Sequence, residues 1–136
     1  MGRFAAVFPI ILVLLLGGCA YKYQPIYNVD RAMPAGAERL SAEQMRDIII
    51  HAGKTLEWSM EPLGPGHLEA TQNPERYSAT VDIYYTPTRL QILLKSTVNL
   101  RQTATTIHAH YNFWIRNLEN QIMIELSAAA QPGAAK

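Results

Sequence analysis

The chain lacks a second cysteine, because Cys19 is alone among its 136 residues. Proteins of oxidising compartments that retain cysteines usually pair them, so a disulfide framework within this chain is excluded. The sequence also lacks an excess of positive charge, with 12 Lys and Arg against 11 Asp and Glu. Nucleic-acid binding depends on a concentrated basic surface, and this near-neutral composition gives no support for a nucleic-acid partner.

Long apolar runs are absent except at the beginning, where residues 4–16 follow Arg3. That run is shorter than the roughly 20 residues that a transmembrane helix needs, and its positive start is typical of a signal peptide. Its end, LGGC at residues 16–19, resembles the bacterial lipobox, in which small residues precede a cysteine that receives a diacylglyceryl group. The resemblance predicts a lipoprotein signal peptide over residues 1–18 and lipid attachment at Cys19.

The lipobox resemblance implies a cellular location. Three acyl chains on Cys19 exceed the two signals needed for stable membrane anchoring. Ala20 follows the cysteine, where many inner-membrane lipoproteins of Gram-negative bacteria carry an aspartate. We therefore expect attachment to the cell outer membrane on its periplasmic face, through lipid on Cys19. The alternative is a free cysteine behind an ordinary secretory signal or a membrane anchor.

The remaining chain divides into a linker, one domain and a tail. Residues 19–40 have no sustained period and contain Pro25, Pro34 and Gly36, which predicts a flexible lipidated tether with a reach on the order of 25 Å. Such a tether holds the folded domain clear of the lipid surface. The domain is predicted over residues 41–126, and the alanine-rich residues 127–136 are predicted to be a disordered tail.

Periodicity within the domain predicts its fold class. Ser41 and Gln44 form a capping-box pattern before an amphipathic helix that is expected to stop at Gly53. Four period-two segments then follow between Leu56 and Lys95, joined by short turn-rich links, and a longer helical pattern runs to residue 126. The prediction is an α+β two-layer sandwich of order α-β-β-β-β-α, with a four-stranded antiparallel meander covered on one face by both helices.

The other face of the predicted sheet is polar. Glu57, Glu69 and Asp82 are expected to meet there, because cross-strand neighbours lie about 5 Å apart. A carboxylate acid–base pair needs a roof that excludes water, and the chain has no spare element to provide one. A solvated face is therefore favoured over an active site. Its other predicted members are Ser78, Thr80 and Gln91.

His108 and His110 form an H-x-H pattern at the expected start of the last helix. Residues two apart point the same way on a strand and share a metal there, whereas on a helix they diverge by about 200°. The pattern leaves both geometries open, although the absence of a cysteine ligand disfavours a metal. We predict no metal, no cofactor and no catalytic residue.

One larger pattern resembles a known group. STVNL at residues 96–100, followed by IHAHYNFWIRNLENQI at residues 107–122, resembles small uncharacterised proteobacterial lipoproteins with S-x-N-L before I-H-x-x-Y-N-x-W-I-x-N-L. The group brings no established activity. Its polar residues are expected to close a loop by hydrogen bonds, or else to form a ligand corner. The corner consists of Ser96, Asn99, His108 and Asn112.

Two functions follow as hypotheses. The favoured one is a non-catalytic binding or structural module of the cell envelope, which binds an envelope protein or peptide through the polar sheet face or a sheet edge. The alternative is a small envelope enzyme or metal-binding protein that uses the region of His108 and His110. The small size of the domain and its lack of pocket-forming insertions favour the first.

Overall fold

The protein is described here by a computed structural model that covers residues 22–134. The predicted signal peptide and the predicted lipid-attachment residue Cys19 lie outside the described residues. Within them the fold is α+β, with two helices, a five-stranded antiparallel sheet and a separate two-stranded sheet. No helix between residues 22 and 134 is long and apolar enough to cross a bilayer.

The two helices are α1, Ala42–Thr55, and α2, Ala109–Ala129. The capping box predicted at the start of α1 is confirmed: the Ser41 hydroxyl accepts from the Gln44 amide at 3.0 Å, and the Gln44 side chain accepts from the Ser41 amide at 2.8 Å. The predicted stop at Gly53 is wrong, because α1 continues to Thr55. Gly53 instead lets α1 approach the sheet, since a Cβ there would collide with the Met60 sulfur.

The strands are β1 Tyr23–Pro25, β2 Val29–Ala32, β3 Ser59–Gly64, β4 His67–Gln72, β5 Ser78–Tyr85, β6 Arg89–Val98 and β7 Thr106–His108. The larger sheet has the order β2-β6-β5-β4-β3, and β1 pairs with β7. Strands β3 to β6 form the predicted meander. The prediction of four strands is nevertheless corrected to five, because β2 adds to the free edge of β6.

The fifth strand comes from the segment predicted as a tether. Residues 23–40 contribute β1, β2 and a short 3-10 turn at Ala37–Arg39, so this segment is part of the folded body. Strands of three and four residues are too short to show a period, and their partners lie far along the chain. At the other end, α2 includes residues 127–129, which the sequence assigned to the tail.

The core lies between the two helices and one face of the larger sheet. Alternate residues of the central strands are fully buried there, as in Val81 and Ile83 of β5 and Leu90 and Ile92 of β6. The helices contribute their apolar stripes to the same cluster. Its helical members are Met45, Ile49, Ala52, Tyr111, Ile115, Leu118, Ile122 and Leu126. The opposite side of the sheet, the open face, has no helix over it among the described residues.

Candidate functional site

Charged side chains of three adjacent strands meet on the open face. Glu69 of β4 and Asp82 of β5 are direct cross-strand partners. The ammonium of Lys95 on β6 lies 2.5 Å from a Glu69 carboxylate oxygen and 4.0 Å from an Asp82 oxygen. These three residues, with His67 and Tyr84, form what we call the charged cluster.

A β-bulge brings Lys95 into this position. Thr80 pairs with Ser96 and Val81 pairs with Leu94, so Lys95 is the extra residue of β6. Such a bulge locally disrupts the ladder and redirects side chains. The hydrogen bond to Glu69, with the negative charges of Asp82 and Glu69, raises the pKa of Lys95 above its usual value. The lysine is therefore a stable cation between the two carboxylates.

His67 and Tyr84 extend the charged cluster toward the turn between β3 and β4. The Nε2 atom of His67 lies 2.7 Å from an Asp82 carboxylate oxygen. The imidazole stacks on the Tyr84 ring, with 4.4 Å between centroids and 18° between planes. Gly66, with a φ of 68°, makes the turn before His67. The ring pair gives the cluster an aromatic border beside its charges.

The predicted carboxylate group is only partly assembled. Glu69 and Asp82 meet as expected, but Glu57 lies in the turn after α1 with a φ of 64°, before β3 begins. Sequence reasoning also missed His67, Tyr84 and Lys95 as neighbours of Asp82. These three residues were not among the predicted members of the polar face, and the strand register shows that they lie beside Asp82.

The four residues of the predicted polar corner make separate contacts. Ser96 is exposed on the open face opposite Thr80. Asn99, with a φ of 60°, donates from its side-chain amide to the Arg76 carbonyl at 2.7 Å. His108 caps α2, and Asn112 is buried one turn further along that helix. Across residues 22–134, no hydrogen bond joins any two of these four side chains.

Asn112 holds the chain that precedes β2. Its Oδ1 accepts from the Tyr27 amide at 3.0 Å, and its Nδ2 donates to the Pro25 carbonyl at 2.9 Å and to the Gln24 side chain at 3.2 Å. The side chain is almost fully buried, with 4% of the residue exposed. All its hydrogen-bonding capacity is directed at this segment, so Asn112 acts as a structural clasp.

Glu119, three turns into α2, holds the same segment. Its carboxylate accepts from the Tyr27 hydroxyl at 2.7 Å and from the Arg31 guanidinium at 2.8 Å. The Arg116 guanidinium lies 4.0 Å above the Tyr27 ring. The hydrogen bond to Glu119, followed by burial, raises the pKa of Tyr27. We call residues 23–32 the strap, since they run along α2 and end as the edge strand β2.

The two histidines at the start of α2 are near each other, and one of them caps the helix. Their ring centroids are 4.7 Å apart at 62°, and His108 Nδ1 accepts from the His110 backbone amide at 3.2 Å. Burial, with the charges of His110 and Lys22, lowers the pKa of His108. A neutral His108 suits this cap, because a protonated Nδ1 cannot accept. Among residues 22–134, no three His, Cys, Asp or Glu residues are grouped to hold a metal.

Depressions of the described surface are found at the sheet rim and beside α1. One is lined by Asp30 and Arg89 at the β2 edge, and another by Gln72 and Pro74 after β4. The charged cluster itself lies on the open face, where 46% of the Lys95 side chain is exposed. Comparison with known proteins adds no relative, since no protein-family model, curated protein or solved structure matches the chain.

Proposed function

We propose that this protein is a lipoprotein anchored through Cys19 to the outer membrane, whose domain faces the periplasm as a non-catalytic binding module. The anchor is supported by the LGGC pattern at residues 16–19 after a short apolar run. The binding role is supported mainly by one observation: the charged cluster lies on a sheet face that no described element covers.

The charges of the open face favour a basic partner. At the β2 edge, Asp30 and Arg89 form a two-pronged ion pair, so they neutralise each other. Toward the centre, Glu61 stands opposite Glu69, which in turn pairs with Asp82, while Lys95 is the single lysine among them. Three carboxylates therefore face one ammonium and the His67 ring. An envelope protein or peptide that presents lysine or arginine side chains is complementary to this surface.

In-cell crosslinking tests the binding role. A photocrosslinking amino acid replaces Ser96, which is exposed on the open face, and a control protein carries it at Asn120, which is exposed on α2. We expect a discrete protein adduct from position 96 and none from position 120. Equal adducts from both positions, or none from position 96, would contradict the proposal.

A charge reversal identifies which groups carry the binding. Glu69→Lys places a second ammonium in the charged cluster, whereas Glu75→Lys makes the same net change in the exposed turn between β4 and β5. We expect the adduct yield from position 96 to fall about tenfold with Glu69→Lys and to persist with Glu75→Lys, because like-charge contacts cost several kcal/mol at an interface.

The anchor is tested in the same cells. Cys19→Ala is expected to abolish labelling by a radioactive fatty acid and to leave the signal peptide attached. A Cys19→Ala variant that is processed and membrane-anchored like the unaltered protein would refute lipidation. The crosslink to a partner at position 96 is measured independently of this result.

A further inference from the structure

The described chain begins beside the first turn of α2. The Lys22 carbonyl accepts from the Ala109 amide at 2.9 Å, and Tyr23 pairs in register with His108. The strap then continues along the helix. Its contacts with Asn112 fix this segment to the body. The chain that connects the domain to Cys19 therefore enters at the amino-terminal end of α2.

This entry point limits how far the domain can stand from a lipid anchor. Cys19 precedes Lys22 by three positions, and an extended chain covers at most about 3.6 Å per residue, which gives a separation of about 11 Å or less. The folding of residues 23–40 removes the long reach that a flexible tether would have had. With lipid on Cys19, the start of α2 is held close to the bilayer surface.

The same end of the molecule exposes aromatic rings. Phe113 is 61% exposed, and Tyr23 is 40% exposed, with its ring 6.1 Å from that of His108. Trp114 is half-buried, and the His110 ring stacks on it at 6.4 Å. Because an α-helix advances 100° per residue, Phe113 lies only about 40° around the axis from Ala109, beside the entry of the chain. We call Tyr23, Phe113 and Trp114 the aromatic end.

We propose that the aromatic end rests on the lipid bilayer, with its rings at the headgroup level. This proposal rests on the proposed lipidation of Cys19, which supplies the lipid surface. Tyrosine and tryptophan favour the membrane–water interface, and exposed phenylalanine gains by leaving water there. Exposed Lys22 lies beside these rings and adds attraction to anionic headgroups. The membrane thus orients the domain as well as retaining it.

A second exposed apolar residue on α2 makes it possible to distinguish two orientations on the membrane. In one, only the first turns of α2 contact the bilayer; in the other, the helix lies flat on it. Ile124 is 63% exposed on the same stripe of α2 as Phe113, but it is 11 residues further along, or about 16 Å. Asn117 and exposed Asn120 lie between them. Because Asn117 and Asn120 interrupt the apolar stripe before Ile124, the proposed membrane contact is confined to the first turns of α2. Phe113 and Ile124 are therefore a matched pair for a test.

Bromolipid quenching measures the contact. The protein purified from membranes is checked for its acyl mass and reconstituted in vesicles of phosphatidylethanolamine and phosphatidylglycerol, with or without brominated acyl chains. We expect the bromolipid to reduce Trp114 emission by roughly a factor of two, since an interfacial ring lies near the acyl chains. The second tryptophan, Trp58, is buried in the domain core. A Trp114→Phe variant measures the emission and quenching that come from Trp58 alone. Phe113→Ser should reduce the quenching, and Ile124→Ser should leave it unchanged.

The outcomes separate this proposal from the one on which it rests. A mass without acyl chains refutes the anchor and, with it, the proposed orientation. An acylated protein whose Trp114 emission is unaffected by bromolipid overturns the orientation alone. Equal loss of quenching with Phe113→Ser and Ile124→Ser indicates a flat helix and also overturns it. A dimer in detergent that Phe113→Ser dissociates and Ile124→Ser does not would assign the aromatic end to a second copy.

Discussion

The strap contacts and the charged cluster are both polar, but they differ in burial. Asn112 and Glu119, which hold the strap, are 4% and 7% exposed and are fully hydrogen-bonded to it. In the charged cluster, the Lys95 side chain is 46% exposed and the Glu69 side chain is 25% exposed. Buried polar groups are costly unless paired, whereas exposed ion pairs contribute little to stability. The strap contacts are therefore expected to contribute more to the stability of the fold than the charged cluster does.

The largest effect on stability is expected from removing the contacts between Asn112 and the strap. Asn112→Ala leaves the Tyr27 amide and the Pro25 carbonyl without partners in a buried setting, so the free energy of unfolding should fall by about 3 kcal/mol. Urea denaturation measures this loss. Asn120→Ala is the control, because it makes the same substitution at an exposed position of the same helix. A loss below about 0.5 kcal/mol for Asn112→Ala would show that the clasp is dispensable.

A smaller effect of opposite sign is expected next to the clasp. Among residues 22–134, the fully buried Tyr111 hydroxyl has no hydrogen-bond partner, and its burial raises the pKa of Tyr111. Tyr111→Phe should therefore raise the free energy of unfolding by about 1 kcal/mol. Tyr27→Phe is the matched variant, and it should lower that energy by about 1 kcal/mol because it removes the bond to Glu119. Destabilisation by Tyr111→Phe would mean that its hydroxyl has a partner.

The smallest expected effect on stability is in the charged cluster. Lys95→Ala removes an exposed ion pair with Glu69, and its attraction is already weakened by water and salt. We expect the Lys95→Ala variant to have the same midpoint of urea unfolding as the unaltered protein. The yield of the crosslinked adduct from position 96 is expected to change. A loss of stability comparable to that of Asn112→Ala would remove the distinction between the structural strap and the proposed recognition surface.

Sequence reasoning predicted the elements whose pattern is local. The capping box of α1, the meander from β3 to β6 and the apolar stripe of α2 all have periods that can be seen within a few residues. It also placed Glu69 and Asp82 on one polar face. It left the geometry at His108 open, and the structure places Ile107 and His108 in β7 before α2 begins.

The strap could not be predicted in this way. Tyr27 and Asn112 are 85 positions apart, and Tyr27 and Glu119 are 92 apart, so no local pattern links them. Proline and the lack of a period favoured a linker, whereas pairing with β6 and β7 decided the structure. The Lys95 contact depends similarly on a bulge, which shifts the register by one residue without a periodic signal.

By itself, the sequence determined the α+β class, four strands, both helices and the prediction of a lipid anchor at Cys19. The tertiary structure alone decided that residues 23–40 belong to the domain, that Asn112 is a clasp and that Lys95 joins Glu69 to Asp82. The physical reason is the range of the interactions. Helix and strand periods arise from neighbouring residues, whereas edge pairing and buried polar contacts are formed only when distant segments pack together.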